Sequence, residues 1–91
     1  MALGIYFSPT SMTKEQYDTC IRKLEAAGAG KPAGRLYHAS FGDGDKLAVF
    51  DVWESQQLFD RFGETLMPIL KEIGVDPGQP HIMPIHNVIK G

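Results

Sequence analysis

The chain has 91 residues, of which 43% are hydrophobic and 22% are charged, and its formal net charge is −2. This composition excludes a disordered chain, and the length suits one domain spanning residues 1–91. The nine Lys and Arg residues are scattered and outnumbered by acidic ones, which argues against nucleic acid as a partner. No apolar run approaches the ~20 residues of a membrane span, and no secretory signal is visible. We therefore expect a cytoplasmic protein that binds neither nucleic acid nor membrane.

The first third of the sequence predicts a strand followed by a helix. Leu3–Phe7 is short and apolar, as a strand requires. Thr13 has the position of a helix N-cap, and Gln16 follows at the spacing of a capping box. Gly28 marks the end of this helix. The apolar stripe of the helix is formed by Tyr17, Cys20, Ile21 and Leu24. Because Cys20 is the only cysteine and lies on this stripe, we interpret it as a small core residue.

Two further strands are predicted over Arg35–Phe41 and residues 46–53, joined by the glycine-rich turn at residues 42–45. The second of these strands is apolar on both faces apart from Asp51. A strand that faces solvent on one side normally alternates polar and apolar residues. We therefore expect both faces of this strand to be covered.

A second helix begins at Ser55 and ends at Gly74, and its apolar residues recur at helical spacing. Pro68 predicts a kink or a break in this helix. The last strand is predicted over residues 81–89. Pro84 within it indicates the edge of a sheet.

The resulting order β-α-β-β-α-β predicts an α+β, ferredoxin-like fold: a four-stranded antiparallel sheet with both helices on one face. In this topology the first and third strands are central. The uncovered sheet face would then expose a large apolar patch, so we predict a homodimer formed through that face.

The element order and residues 49–59 together resemble the dimeric α+β barrel superfamily, and in particular small proteins related to the antibiotic biosynthesis monooxygenases. Asp51, Trp53 and Ser55 match the family pattern at the end of the third strand. The resemblance implies a dimer whose two sheets form a barrel. The chain departs from oxygenase-type members in having Phe62 where many carry a histidine on the second helix.

Asp51 and His86 are the candidate catalytic residues. A carboxylate on a central apolar strand is costly to bury ionised unless it is paired, which makes Asp51 a candidate general base. The alternative is that Asp51 accepts structural hydrogen bonds from the region of Trp53, from a loop amide or from a partner arginine. His86 is a candidate because an isolated histidine in a pocket can carry a proton near neutral pH.

Aromatic and histidine side chains make up the candidate ligand-binding set. Trp53 is either a stacking surface for an aromatic ligand or a core residue with its N–H bonded. His38 and His86 lie on the two edge strands, but no local spacing of metal ligands accompanies them, so we predict no metal site and no cofactor. The set is Tyr6, Tyr37, His38, Phe50, Trp53, Phe59 and Phe62.

Two functions remain open at this stage. The first is a structural or ligand-binding dimer that holds a small apolar or aromatic molecule between sheet and helices, which includes a regulatory ligand-sensing module. The second, implied by the resemblance, is a cofactor-independent monooxygenase acting on an aromatic or polyketide-like substrate. The sequence does not choose between them.

Overall fold

The computed structural model describes residues 2–91, which contain one four-stranded sheet and two helices. In chain order the elements are β1 (Leu3–Phe7), α1 (Lys14–Ala26), β2 (Arg35–Phe41), β3 (Ala48–Trp53), α2 (Gln56–Ile73) and β4 (His81–Pro84). The strand order is β2-β3-β1-β4, and every pairing is antiparallel. The predicted ferredoxin-like α+β fold is confirmed, with β1 and β3 in the centre and the proline-bearing β4 at an edge. Neither helix of residues 2–91 is long and apolar enough to cross a membrane.

Side-chain caps set the start of both helices. Thr13 Oγ1 accepts a hydrogen bond from the Gln16 backbone N–H at 3.0 Å, and Gln16 Oε1 accepts one from the Thr13 N–H at 2.9 Å. The predicted capping box is therefore confirmed, and such a cap stabilises its helix by about 1 kcal/mol. Ser55 Oγ accepts from the Leu58 N–H at 3.2 Å to begin α2, and Gly74 ends that helix at φ 81°.

α2 runs as one helix through Pro68, so of the kink or break predicted there, the break does not occur. Proline leaves only the carbonyl four residues earlier, that of Glu64, without its helical donor. Both residues are exposed, and water can satisfy this carbonyl. The buried side chains of Phe62, Ile69 and Leu70 hold the helix on both sides of the proline.

β3 begins two residues later than predicted because the preceding backbone pairs elsewhere. The Leu47 N–H donates to the Met12 carbonyl at 3.2 Å, and the Met12 N–H donates to the Asp45 carbonyl at 2.7 Å. The loop after β1 is thereby joined to the turn between β2 and β3.

β4 ends at Pro84 rather than at residue 89, because proline has no N–H for the ladder. One further bond follows it, from the Ile85 N–H to the Ala2 carbonyl at 2.9 Å. Residues 86–91 then leave the ladder and are exposed.

The side chains of β3 alternate between two environments. Val49 and Trp53 point to the layer between sheet and helices, which we call the helix side. That layer contains Trp53 and Ile5, the two side chains at 0% exposure, and burying each contributes about 1.5–3 kcal/mol. The opposite face, which we call the free face, carries Ala48, Phe50 and Val52 from β3.

The free face has several large exposed apolar side chains. A groove on this face is lined by Tyr37, Phe50 and Val52 together with residues 87–91. The C-terminal segment of the chain thus covers part of the second side of β3, and Val52 is buried within a single copy of the chain. The exposed set on the strands and the C-terminal segment is Tyr6, Leu36, Tyr37, Phe41, Met83, Val88 and Ile89.

Candidate functional site

Asp51 is a carboxylate at the centre of the sheet with both of its oxygens bonded. Its exposure is 3%, and it points to the helix side. Oδ1 lies 2.5 Å from His38 Nδ1, and Oδ2 accepts a hydrogen bond from Trp53 Nε1 at 3.1 Å. These two donors compensate the cost of burying the carboxylate. The alternative role predicted for Asp51, acceptance of a structural hydrogen bond from the region of Trp53, is therefore observed. Asp51 also bonds to a histidine, His38.

His38 lies directly opposite Asp51 in the pairing of β2 with β3. An ionised carboxylate only accepts, so Nδ1 of the imidazole must carry the proton in this bond. In the neutral ring Nε2 is then the acceptor, and the Tyr17 hydroxyl lies 2.6 Å from it. The result is a chain of hydrogen bonds in which Tyr17 donates to His38 and His38 donates to Asp51.

Tyr17 reaches this chain from the first turns of α1, where the capping box fixes the start of the helix. Its ring lies nearly parallel to the His38 imidazole, with centroids 5.9 Å apart and an angle of 6° between the planes. Burial raises the pKa of the Tyr17 phenol, and this outweighs a hydrogen bond from Ser40 and the charge of Arg35, which act in the opposite direction. A phenol with a raised pKa keeps its proton, which fits its role as the donor to Nε2.

A cavity of about 60 Å³ adjoins this chain, between the sheet and both helices. Tyr17, His38 and Asp51 form one of its walls, and Arg35 lies on its lining as well. The remaining lining is almost entirely apolar and includes Phe7, Met12, Ile21, Leu24, Val49 and Leu66. The cavity is thus an apolar space with one polar corner, the arrangement typical of small-molecule sites.

The polar corner can move a proton. A histidine held at Nδ1 by a carboxylate has a fixed orientation and tautomer, and its Nε2 can accept a proton from a group in front of it. Cys20 also lines the cavity, but burial raises the pKa of its thiol, which disfavours the nucleophilic thiolate. Within residues 2–91, no group of three or more His, Cys, Asp or Glu is arranged to hold a metal ion.

The structure divides the residues chosen from the sequence between the two faces of the sheet. Asp51, His38 and Trp53 are directly bonded on the helix side. Phe62 lines the cavity, and its ring centroid lies 5.2 Å from that of Trp53. Phe59 packs edge-on against Trp53 at 5.6 Å. Trp53 is a core residue with its N–H bonded, as one of the two sequence interpretations required.

The other four candidates lie away from this cluster. Tyr6, Tyr37 and Phe50 belong to the free face, where Tyr37 packs against Phe50 with centroids 6.4 Å apart. The free face is separated from Asp51 by the sheet itself. His86 is exposed beyond the end of β4 and lines neither the cavity nor the groove. The structure does not bring His86 to Asp51, and the histidine that is bonded to Asp51 is His38.

Sequence reasoning missed Tyr17 and Arg35. Tyr17 was interpreted only as part of the apolar stripe of the first helix, although a tyrosine on such a stripe carries a hydroxyl that needs a partner. Two signals pointed to it: its position in the first turns after the cap and the histidine on a neighbouring strand. Arg35 carried no signal, because it stands at the start of a strand beside a loop.

The fold and the site together define a ferredoxin-like α+β domain with a partly buried Asp–His–Tyr chain beside an apolar cavity. No protein-family model matches the chain, and no curated protein sequence matches it. Solved structures do match it closely in shape.

A protein from Chloroflexus aurantiacus J-10-fl, provisionally described as an antibiotic biosynthesis monooxygenase, superposes with a TM-score of 0.65 at 18% identity, covering 100% of both chains. SnoaB, a cofactor-independent oxygenase from Streptomyces nogalater, gives 0.64 at 10% identity, covering 99% of this chain and 96% of its own. A similarly described monooxygenase from Deinococcus radiodurans gives 0.63 at 12% identity, with 99% and 97% covered. The resemblance seen in the sequence is confirmed at the level of the fold, which is that of antibiotic biosynthesis monooxygenase-like structures.

Proposed function

We propose that the protein binds a small apolar or aromatic molecule in the cavity between sheet and helices, with a polar group of the ligand at the Tyr17–His38 corner. The observation that carries this proposal is the cavity itself. Its lining is apolar except where the Asp51–His38–Tyr17 chain and Arg35 reach it. Such a lining favours the apolar body of a ligand and fixes its orientation through a few polar contacts.

The size of the cavity limits the ligand. At about 60 Å³ it is smaller than the ~150 Å³ cavity that holds benzene in an engineered apolar site. A branched aliphatic group of three or four carbons is therefore the natural first probe. An aromatic ring requires side chains on the lining to move, as commonly happens when ligands bind.

Binding is tested by NMR with matched variants. We expect isobutyrate and isobutyramide, or their aromatic counterparts benzoate and benzamide, to shift the amide signals of residues on the cavity lining. Val49→Phe places a ring into the cavity and should abolish these shifts. Val88→Phe makes the same change on the exposed C-terminal segment and should leave them intact. Shifts that persist in folded Val49→Phe protein would show that the ligand binds elsewhere.

The second candidate is a cofactor-independent monooxygenase, and the fixed imidazole of His38 favours it. In this reaction His38 Nε2 takes a proton from an electron-rich phenolic substrate, and the resulting anion adds molecular oxygen at a ring carbon. The hydroperoxide then loses water, which leaves one oxygen atom on the substrate as a quinone carbonyl, so the substrate itself supplies the electrons. SnoaB carries the description of a cofactor-independent oxygenase, but this likeness is one of fold. Because the Tyr17 hydroxyl lies on Nε2, the substrate must displace it or pass its proton through it.

Oxygen consumption with quinol substrates tests this candidate. We expect His38→Gln to reduce the rate at least a hundredfold, since general base catalysis contributes about 10²–10⁴. His81→Gln alters an exposed histidine at the start of β4 and should leave the rate unchanged. Equal rates in both variants would exclude His38 as the base.

We further propose that two copies associate through the free face. The support is the exposed apolar set on that face, since patches of this kind mark interaction surfaces. Sedimentation at micromolar concentration should give about twice the chain mass of 10.1 kDa. Met83→Glu, on the free face, should yield monomers, whereas Met67→Glu, on an exposed part of α2, should not. A single 10.1 kDa species for the unaltered chain would contradict this proposal.

A further inference from the structure

Arg35 is a cation on the lining of a mostly apolar cavity, and no carboxylate of the described residues 2–91 forms an ion pair with it. We infer that the ligand of this cavity is a small apolar acid whose carboxylate binds Arg35. The inference rests on the proposed ligand-binding function and specifies the chemical class of the ligand.

A bulge in β2 is what brings Arg35 to the helix side. Arg35 pairs with Trp53 and His38 pairs with Asp51, so these two β2 residues face the same side although they are three apart. A regular strand would alternate and place Arg35 on the opposite face from His38. The irregularity between Arg35 and Tyr37 inserts one residue and re-aims the side chain, as bulges near functional sites do. The extra residue, Leu36, is exposed.

The guanidinium is held in place without being neutralised. Its Nη2 donates to the Gly30 carbonyl at 3.1 Å, and its Cζ lies 5.9 Å from the centre of the Phe62 ring. No carboxylate among residues 2–91 forms an ion pair with it. Arginine has five N–H donors in a planar fork, so those not used by Gly30 are free for a ligand.

The nearest acidic residue on the lining is already satisfied. Asp51 accepts from His38 with one oxygen and from Trp53 with the other, and it forms no ion pair with Arg35. The guanidinium of Arg35 therefore keeps N–H donors that an anionic ligand can use. A carboxylate accepts two parallel hydrogen bonds from a guanidinium, and its apolar substituent would fill the adjacent cavity.

Matched ligands of equal shape and different charge test this inference on the full chain. Isobutyrate is compared with isobutyramide, and benzoate with benzamide, by NMR titration. We expect the acid of each pair to bind at least tenfold more tightly than its amide. Arg35→Met should reduce this preference to less than twofold. Arg35→Lys keeps the charge but lacks the planar pair of donors, so it should retain only part of the preference, whereas Arg61→Met, at an exposed position of α2, should retain all of it.

The possible results distinguish this inference from the proposed ligand binding on which it rests. If acid and amide bind equally and both shift cavity signals, ligand binding stands and the assignment of an acid is wrong. If the acid is preferred but the preference survives in folded Arg35→Met protein, Arg35 is not its partner and the inference is likewise overturned. If no ligand shifts the cavity signals, both this inference and the proposed binding function fail.

Discussion

Replacing Asp51 by Asn should move the proton of the His38 ring from Nδ1 to Nε2 while preserving the shape of the site. An amide has one oxygen where the carboxylate has two, so it can accept from only one of its present donors. The Trp53 indole can only donate, whereas His38 can change tautomer. We therefore expect the amide oxygen to turn to Trp53 and its NH₂ to donate to His38 Nδ1. The proton of the ring then moves to Nε2, which can no longer accept one.

The stability change follows from the same two bonds. A hydrogen bond to a charged group contributes about 1.5–3 kcal/mol and a neutral one about 0.5–1.5 kcal/mol. Weakening both bonds, partly offset by the easier burial of a neutral group, should lower the free energy of unfolding by about 1–3 kcal/mol. Urea unfolding followed by fluorescence of the single tryptophan measures this change, and imidazole ¹⁵N spectra report the tautomer.

Asp43→Asn is the matched control, because Asp43 is exposed in the turn between β2 and β3. It should change stability by less than about 0.5 kcal/mol. The reasoning is refuted if Asp51→Asn leaves Nε2 unprotonated, or if its unfolding free energy matches that of the control.

Two further perturbations test the loop before β2 and the half-buried phenol of Tyr17. A Cβ on Gly34 would lie 2.5 Å from Leu58 Cδ1 at a φ of 92°, so Gly34→Ala should cost about 2–4 kcal/mol in urea unfolding. Gly28→Ala meets no atom within 4 Å at φ 77° and should cost only about 1 kcal/mol; equal losses would contradict the steric argument. Because the pKa of Tyr17 in the folded protein is raised above its ordinary 10.0, the unfolded chain loses this proton first as the pH rises. The contribution of the protonated phenol to the free energy of unfolding is therefore complete below pH 10.0 and is lost as the pH rises through the folded-state pKa. Across this alkaline range the free energy of unfolding should decline less in Tyr17→Phe than in the unaltered chain. In Tyr37→Phe, a control at an exposed position, it should decline as in the unaltered chain.

Much of the fold could be predicted because its signals are local. A capping box lies within four residues, and Thr13 and Gln16 specify the start of α1 without reference to the rest of the chain. The errors in the predicted element boundaries occurred where contacts between residues distant in the sequence determine the structure. Leu47 leaves the predicted strand because its N–H bonds to Met12, which no periodicity in the hairpin reveals. Pro68 remains helical because packing on both sides of it outweighs the loss of one hydrogen bond.

The site was only half predictable for the same reason. Asp51 was identifiable as an acidic residue within an apolar strand. Its pairing with His38 depends on the length of the hairpin loop, and the place of Arg35 depends on a bulge, so neither follows from composition. One error was avoidable. Phe50 is adjacent to Asp51 in a strand, and strand alternation alone places the two side chains on opposite faces.

The course of residues 87–91 along the groove of the free face has a practical consequence. Gly91 itself lines that groove, so any residues fused after it would begin inside the surface through which two copies are proposed to associate. An affinity tag placed there would compete with the second copy and bias a measurement of mass toward the monomer. Ala2 lines the same groove, so a tag at the other end shares the problem. Measurements of association should therefore be made after tag removal at both ends.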